Sequence, residues 1–163
     1  MFKRHLFPAR RHGSSGFTLL ELMVTLAIFA ILTSLAVPSF SGLIARLRVG
    51  AFASEFRASV LRARSEAIKR NLSVTLSPKP GGWQNGWQIL DPLNAANVID
   101  DRGATAGATI TGPNSIVYNS WGRVNGVAAP SFVISVANGS ASSYQCVAVD
   151  LSGRPYKVAA ASC

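Results

Sequence analysis

The chain has 163 residues, with 16 Lys and Arg against 7 Asp and Glu for a net charge of +9, and 48% of it is hydrophobic while 14% is charged. A disordered polybasic chain has the reverse balance, so one modest domain with a packed core or a membrane segment is expected. His5 and His12 lie in the first dozen residues and Cys146 and Cys163 in the last eighteen, which excludes imidazole-based triads and His-rich zinc sites in the body of the fold.

Residues 1–16 carry Lys3, Arg4, Arg10 and Arg11 and no acid, a block of +4. Residues 17–37, FTLLELMVTLAIFAILTSLAV, follow as 21 residues with Glu21 as their one charge. A helix of that length rises about 30 Å, the thickness of a hydrocarbon core, and is expected to span a membrane. The basic block places the N-terminus in the cytoplasm and the rest of the chain outside it. A carboxylate costs roughly 2.5–3.5 kcal/mol at the centre of a spanning helix, so Glu21 calls for a partner. Ser14-Ser15-Gly16 is a small, flexible run before Phe17. Cleavage there would leave the helix attached and free an α-amino group on Phe17 to neutralise a neighbour's Glu21. Two other readings stand beside this one, a plain single-pass anchor and a secretory leader cut near Ser34-Leu35-Ala36. Against the leader, the apolar run exceeds the usual 7 to 15 residues, and a discarded segment has no use for Glu21.

Gly16-Phe17-Thr18-Leu19-Leu20-Glu21 and the apolar run up to Pro38 resemble the class III signal of type IV prepilins and type II secretion pseudopilins. The resemblance implies cleavage by a prepilin peptidase between Gly16 and Phe17, N-methylation of Phe17, and a role for Glu21 in subunit assembly by pairing with another subunit's N-terminus.

Residues 38–71 continue as an amphipathic stem helix, with Pro38 the place for a bend. Val49, Phe52, Phe56, Val60, Ala63 and Ala67 fall within an arc of about 80° and form its core-facing stripe. Residues 46–70 carry seven basic and two acidic residues, mostly off that stripe, with Glu66 and Arg70 at a supportive i,i+4 spacing. This charge is read as a solvated surface, as contact with acidic neighbouring subunits, or as contact with anionic lipid.

From residue 72 to 163 short β-like runs alternate with turn residues such as Asn125-Gly126, Asn138-Gly139 and Ser152-Gly153. Strands are expected at 72–76, 87–90, 108–111, 115–118, 132–136, 144–149 and 156–159. The fold class is therefore α+β: a long N-terminal helix, its amphipathic half packed on an antiparallel β-sheet or small β-sandwich. The stretch Gly82-Trp83-Gln84-Asn85-Gly86-Trp87, the run at 115–119 before Gly122-Arg123, and Cys146-Val147-Ala148-Val149 leading to Ser152-Gly153-Arg154 resemble the FimT/GspH group of minor pilins and pseudopilins. Trp83 and Trp87 are read as hairpin aromatics closing over a core edge.

Cys146 and Cys163 would both lie outside the cytoplasm, where disulfides persist, and are expected to pair. The loop so closed presents Gly153-Arg154-Pro155-Tyr156-Lys157. Some members of the resembled group bind DNA during transformation through a C-terminal Gly-Arg-x-Arg motif. Here Gly153-Arg154 matches, Tyr156 stands at the second arginine position and Lys157 follows. Arg154, Tyr156 and Lys157, with Arg123, are thus candidate DNA contacts through phosphate pairing and base stacking. Asp100-Asp101 follow Asn94 and Asn97 in a stretch read as a solvated turn, with calcium binding the alternative; the alternating ligands of an EF-hand are missing. No catalytic constellation, phosphate loop, cofactor motif or metal site is found. The expected function is that of a minor type IV pilin in a pilus priming or tip complex, located in a bacterial inner membrane with its head in the periplasm. Its partners would be the prepilin peptidase, major and minor pilins and the membrane, with DNA in the transformation reading. The alternatives are a type II secretion pseudopilin and a DNA-uptake pilin.

Overall fold

The computed structural model describes the backbone of residues 16–163 and the side chains of 16–34 and 40–163. Residues 1–15 of the leader read on residues 1–16 fall outside those sets, and the backbone at Pro38, where a bend was expected, lies within one helix that runs from Leu19 to Arg70. One helix, α1, occupies Leu19–Arg70, and two compact units divide between Ala36 and Val37.

Local chemistry sets both ends of α1. Thr18-Leu19-Leu20-Glu21 has capping-box spacing, and the Thr18 hydroxyl accepts the Glu21 backbone N–H at 3.2 Å. At the other end Asn71 takes a left-handed φ of 54°. The Asn71 N–H donates to the Ile68 carbonyl and the Leu72 N–H to that of Ala67, both at 3.2 Å, which is the Schellman arrangement. Lys69 and Arg70 sit in the last turn, where the helix dipole favours cations.

In the unit after residue 36, α1 buries Ala45, Val49, Ala53, Phe56, Val60, Ala63 and Ala67 at steps of three or four. Ala53 takes the place in this stripe expected of Phe52, which packs half-buried at its edge. Four alanines on one face let the strands approach the helix backbone closely.

Eight strands follow: β1 Val74–Pro78, β2 Trp87–Asp91, β3 Asn94–Arg102, β4 Ala108–Thr111, β5 Ile116–Tyr118, β6 Ser131–Asn138, β7 Ala141–Val149 and β8 Pro155–Val158. They pair antiparallel into two four-stranded sheets, ordered β3-β2-β1-β5 and β4-β6-β7-β8. The α+β arrangement expected from sequence is thus the one adopted. Strand β3 corrects the turn read around Asp100. It is an edge strand, largely exposed from Asn94 to Val98, so it lacks the one-sided alternation that marks a half-buried strand. Strands β6 and β7 also run longer than expected, up to a tight turn at Gly139 and Ser140, with Asn138 opposite Ala141.

The core centres on aromatic rings. Phe56 meets Trp83 at 5.4 Å, Trp87 at 5.2 Å and Phe132 at 4.7 Å between centroids, and Trp83 meets Phe132 at 5.1 Å. Helix, first sheet and second sheet therefore share one contact point. Trp83 is only 4% exposed, and its indole N–H donates to the Pro113 carbonyl at 2.8 Å. Both tryptophans are core residues.

Candidate functional site

Phe17 is 73% exposed at the start of the described helix region, and from there to Leu32 every large apolar side chain is at least 50% exposed. These exposed apolar side chains suit lipid or other apolar helices. Among the described residues no helix is long and apolar enough to cross a membrane. The part of α1 before residue 35 is 16 residues, 19 through 34, about 24 Å at the usual rise. Glu21 sits in the first turn, where the positive end of the helix dipole favours a carboxylate. The cap at Thr18 uses the Glu21 backbone and leaves its carboxylate available for a second partner.

The stem's two flanks carry different electrostatics. On one flank acids and cations of the stem and of the β2 and β3 hairpin neutralise one another. Arg70 pairs with Glu66 at 2.7 Å and with Asp91 at 3.1 Å, Arg62 with Asp100 at 3.7 Å, and Arg102 with Glu55 at 3.4 Å. Hydrogen bonding from Arg70 holds the Glu66 carboxyl below its ordinary range. Asp100 is also 3.6 Å from Arg102, and Asp101 pairs with Lys79. These aspartates are structural ion-pair partners on a strand, and no cluster of metal-ligating side chains forms among the described residues.

On the other flank the cations face neutral acceptors. Arg57 donates to the Pro155 carbonyl at 3.3 Å and Arg64 to that of Gly122 at 2.9 Å. With Leu61, Asp150, Arg154, Pro155 and Tyr156 they line a groove of about 340 Å³. Arg154 reaches it from a tight turn built on Asp150, whose carboxylate accepts the Ser152 hydroxyl at 2.6 Å and the Arg154 backbone N–H at 2.8 Å. Those two bonds hold the Asp150 carboxyl down at about 2. The Arg154 guanidinium lies 3.4 Å from the same carboxylate, yet its side chain is 77% exposed. Lys157 donates to the Ser54 hydroxyl at 2.8 Å, along the same side of α1.

The structure thus brings Arg154 and Tyr156 together, with Lys157 beside α1, and leaves Arg123 exposed on the neighbouring turn outside the groove lining. Arg57 and Arg64 were missed in sequence as groove residues. Their seven-residue spacing puts them on one helix face, but only the position of β8 shows what that face meets. Cys146 and Cys163 form a disulfide with Cα atoms 5.5 Å apart, closing the segment that holds this turn and β8.

Comparison with known proteins agrees with this geometry. Residues 53–153 match the family model of the type II transport protein GspH, and residues 11–37 match the prokaryotic N-terminal methylation motif. The pilin-like protein PilA1 of Thermus thermophilus is 38% identical over 109 residues, covering 67% of this chain and 64% of that protein. This chain therefore spans about 64% of that relative's length. Two crystal structures of the type IV minor pilin FimU of Pseudomonas aeruginosa superpose with TM-scores of 0.58 and 0.57 at 18% identity. The alignments cover 66% and 67% of this chain and 86% and 91% of those chains, a likeness of fold. With the GspH model spanning most of the chain and the methylation motif ahead of it, the chain belongs to the GspH family of type IV pilin-like proteins, the minor pilins and pseudopilins.

Proposed function

We propose that this chain is a minor type IV pilin that joins a pilus priming or tip complex with other pilins and has no enzymatic activity of its own. A prepilin peptidase cuts the precursor between Gly16 and Phe17 and Phe17 is methylated. Residues 17–37 hold the chain in the inner membrane with residues 72–163 in the periplasm as its head. The observation that carries this is the exposed apolar run from Phe17 into α1 as far as Leu32, with one carboxylate in the first turn of α1. On leaving the membrane such a helix needs other helices to cover it, and Glu21 needs a cation, which a neighbour's terminal amine supplies.

Glu21→Ala separates this role from simple anchoring, because the helix cap depends on the backbone of residue 21. The variant is expected to be processed and held in the membrane normally. Its share in sheared filaments should fall at least tenfold, since removing one partner of a buried ion pair costs about 3–5 kcal/mol. Normal incorporation of the variant, read by immunoblot of membrane and filament fractions, would sink the role.

The groove supports a second reading, DNA binding in uptake. Arg57, Arg64 and Arg154 surround an exposed Tyr156, which joins phosphate-pairing cations to a stacking surface. Replacing the three arginines by alanine is expected to weaken an electrophoretic shift with single-stranded DNA at least tenfold. The log-log salt slope should fall by about 2, at roughly 0.7 per lost phosphate contact. Equal binding by parent and variant removes the groove from consideration.

A further inference from the structure

The edge of a sheet presents a row of backbone donors and acceptors, which proteins blunt with charges, proline or a covering element. Ser142, Ser143 and Tyr144 of β7 bring no charge and no proline, and β8 stops short of them. The Val149 N–H donates at 2.9 Å to the carbonyl of Pro130, the residue before β6. The odd-numbered residues of β7 therefore bond toward β6, and the N–H and C=O groups of the even-numbered ones point the other way. At Cys146 and Ala148 those groups meet Val158 and Tyr156 of β8. At Ser142 and Tyr144 they have no backbone partner among the described residues.

Residues 159–163 leave the line of β8 before reaching this stretch. Continued in the register that sets Cys146 opposite Val158, they would place Ala160 opposite Tyr144 and Ser162 opposite Ser142. Cys163 would then stand about 17 Å along the sheet from Cys146. Instead the Ala160 N–H turns back on the Val158 carbonyl at 3.0 Å, and a disulfide holds the Cα atoms of Cys146 and Cys163 5.5 Å apart. Chain that could close the edge is thus tied away from it. A cavity of about 420 Å³ lies along the open line, between β7, Arg46 and Val49 of α1, and Ala159–Ala161. Arg46 is exposed and has no ion pair among the described residues.

We propose that β7 at Ser142–Tyr144 is a strand-addition site, which takes an extended segment of another protein antiparallel to β7 and in line with β8. The two faces of the sheet set the chemistry of that segment. Ser143, Gln145 and Val147 lie opposite Val136, Ile134 and Phe132, the buried residues of β6, and so share the face turned toward the stem. The incoming residue opposite Ser143 points to that face, where Arg46 offers a cation to an acidic side chain. Its two neighbours, opposite Ser142 and Tyr144, point to the outer face beside the half-exposed Tyr144 ring, which suits β-branched apolar residues. The segment is therefore apolar, acidic and apolar at three successive positions. Its site lies apart from the groove at Arg154 and does not depend on the function proposed above.

The test uses the full chain in detergent micelles and fluorescent seven-residue peptides with Val-Glu-Val or Val-Lys-Val at the centre of a threonine frame. Anisotropy should show the Glu peptide binding at least tenfold tighter than the Lys peptide, with a smaller difference as salt rises. Methylating the backbone nitrogens of the two valines should weaken the Glu peptide at least tenfold, because those N–H groups bond to β7. Methylating the glutamate nitrogen, which points to solvent, should not. Arg46→Glu, a change at an exposed site, should reverse the preference between the peptides. Ser142→Pro removes one outward N–H and none that β6 uses, and should also weaken the Glu peptide at least tenfold. Arg154→Ala, in the separate groove, should leave binding unchanged. No saturable binding of the Glu peptide, equal losses from methylation at valine and at glutamate, or an Arg46→Glu chain that still prefers the Glu peptide would each overturn the inference.

Discussion

Phe56→Ala is expected to destabilise the head by about 3–5 kcal/mol, the cost of emptying a fully buried aromatic site. Phe56 is 0% exposed and its ring is the common neighbour of Trp83, Trp87 and Phe132. The sheets β3-β2-β1-β5 and β4-β6-β7-β8 are separate hydrogen-bonded units, so the ring joins them by packing alone. Alanine's better helix propensity returns about half a kcal/mol at most. Since a domain's net stability is about 5–15 kcal/mol, the loss is a large fraction of it. Urea unfolding followed by tryptophan fluorescence reads the change directly, because Trp83 and Trp87 flank the vacated site. Phe40→Ala, at a position 63% exposed, should shift the midpoint little. Equal shifts for the two variants would refute the central place given to Phe56.

Gly153→Ala is expected to cost about 2–4 kcal/mol, although it adds a single methyl group. Gly153 has a φ of 88°, where an L side chain is strained by about 1–2 kcal/mol. A Cβ there would stand 2.0 Å from the Gly122 carbonyl oxygen and 3.0 Å from the Tyr118 ring, and such overpacking costs about 1–3 kcal/mol more. The Tyr118 hydroxyl donates to the Gly153 carbonyl at 3.3 Å, and burial pushes that phenol up so that it stays a donor through neutral pH. Separating the two turns would also disturb Arg64, which is held on Gly122, so the groove should loosen with the fold. Gly103→Ala, where nothing stands within 4 Å of an added Cβ, should stay within about 0.5 kcal/mol of the parent in the same unfolding experiment.

Much of the architecture was legible because local patterns and tertiary demands coincide. The apolar run after Gly16, the stem's repeat of three and four, and the turn dipeptides each point to the element that forms. Edge strand β3 was not legible, since a strand exposed over most of its length owes its conformation to pairing with β2 rather than to burial. Ala53 and Phe52 differ in facing by only one residue step, and the close approach of the sheets favours the smaller side chain at the centre. The groove was half legible. Arg154 and Tyr156 stood out beside a glycine turn. Arg57 and Arg64 became part of the site only when β8 and the Gly122 turn came alongside α1, from positions 98 and 58 residues away.

The shared aromatic contact also sets an order in time. Phe56 and Phe132 are 76 residues apart in the chain, which synthesis at 5–20 residues per second covers in about 4–15 s. Trp83 and Trp87 emerge well before Phe132, so the first sheet is available to one side of Phe56 while the other side waits for β6. Through that interval the newborn head carries half an apolar core open to water, a window in which it depends on a holding partner or on rapid completion of the chain.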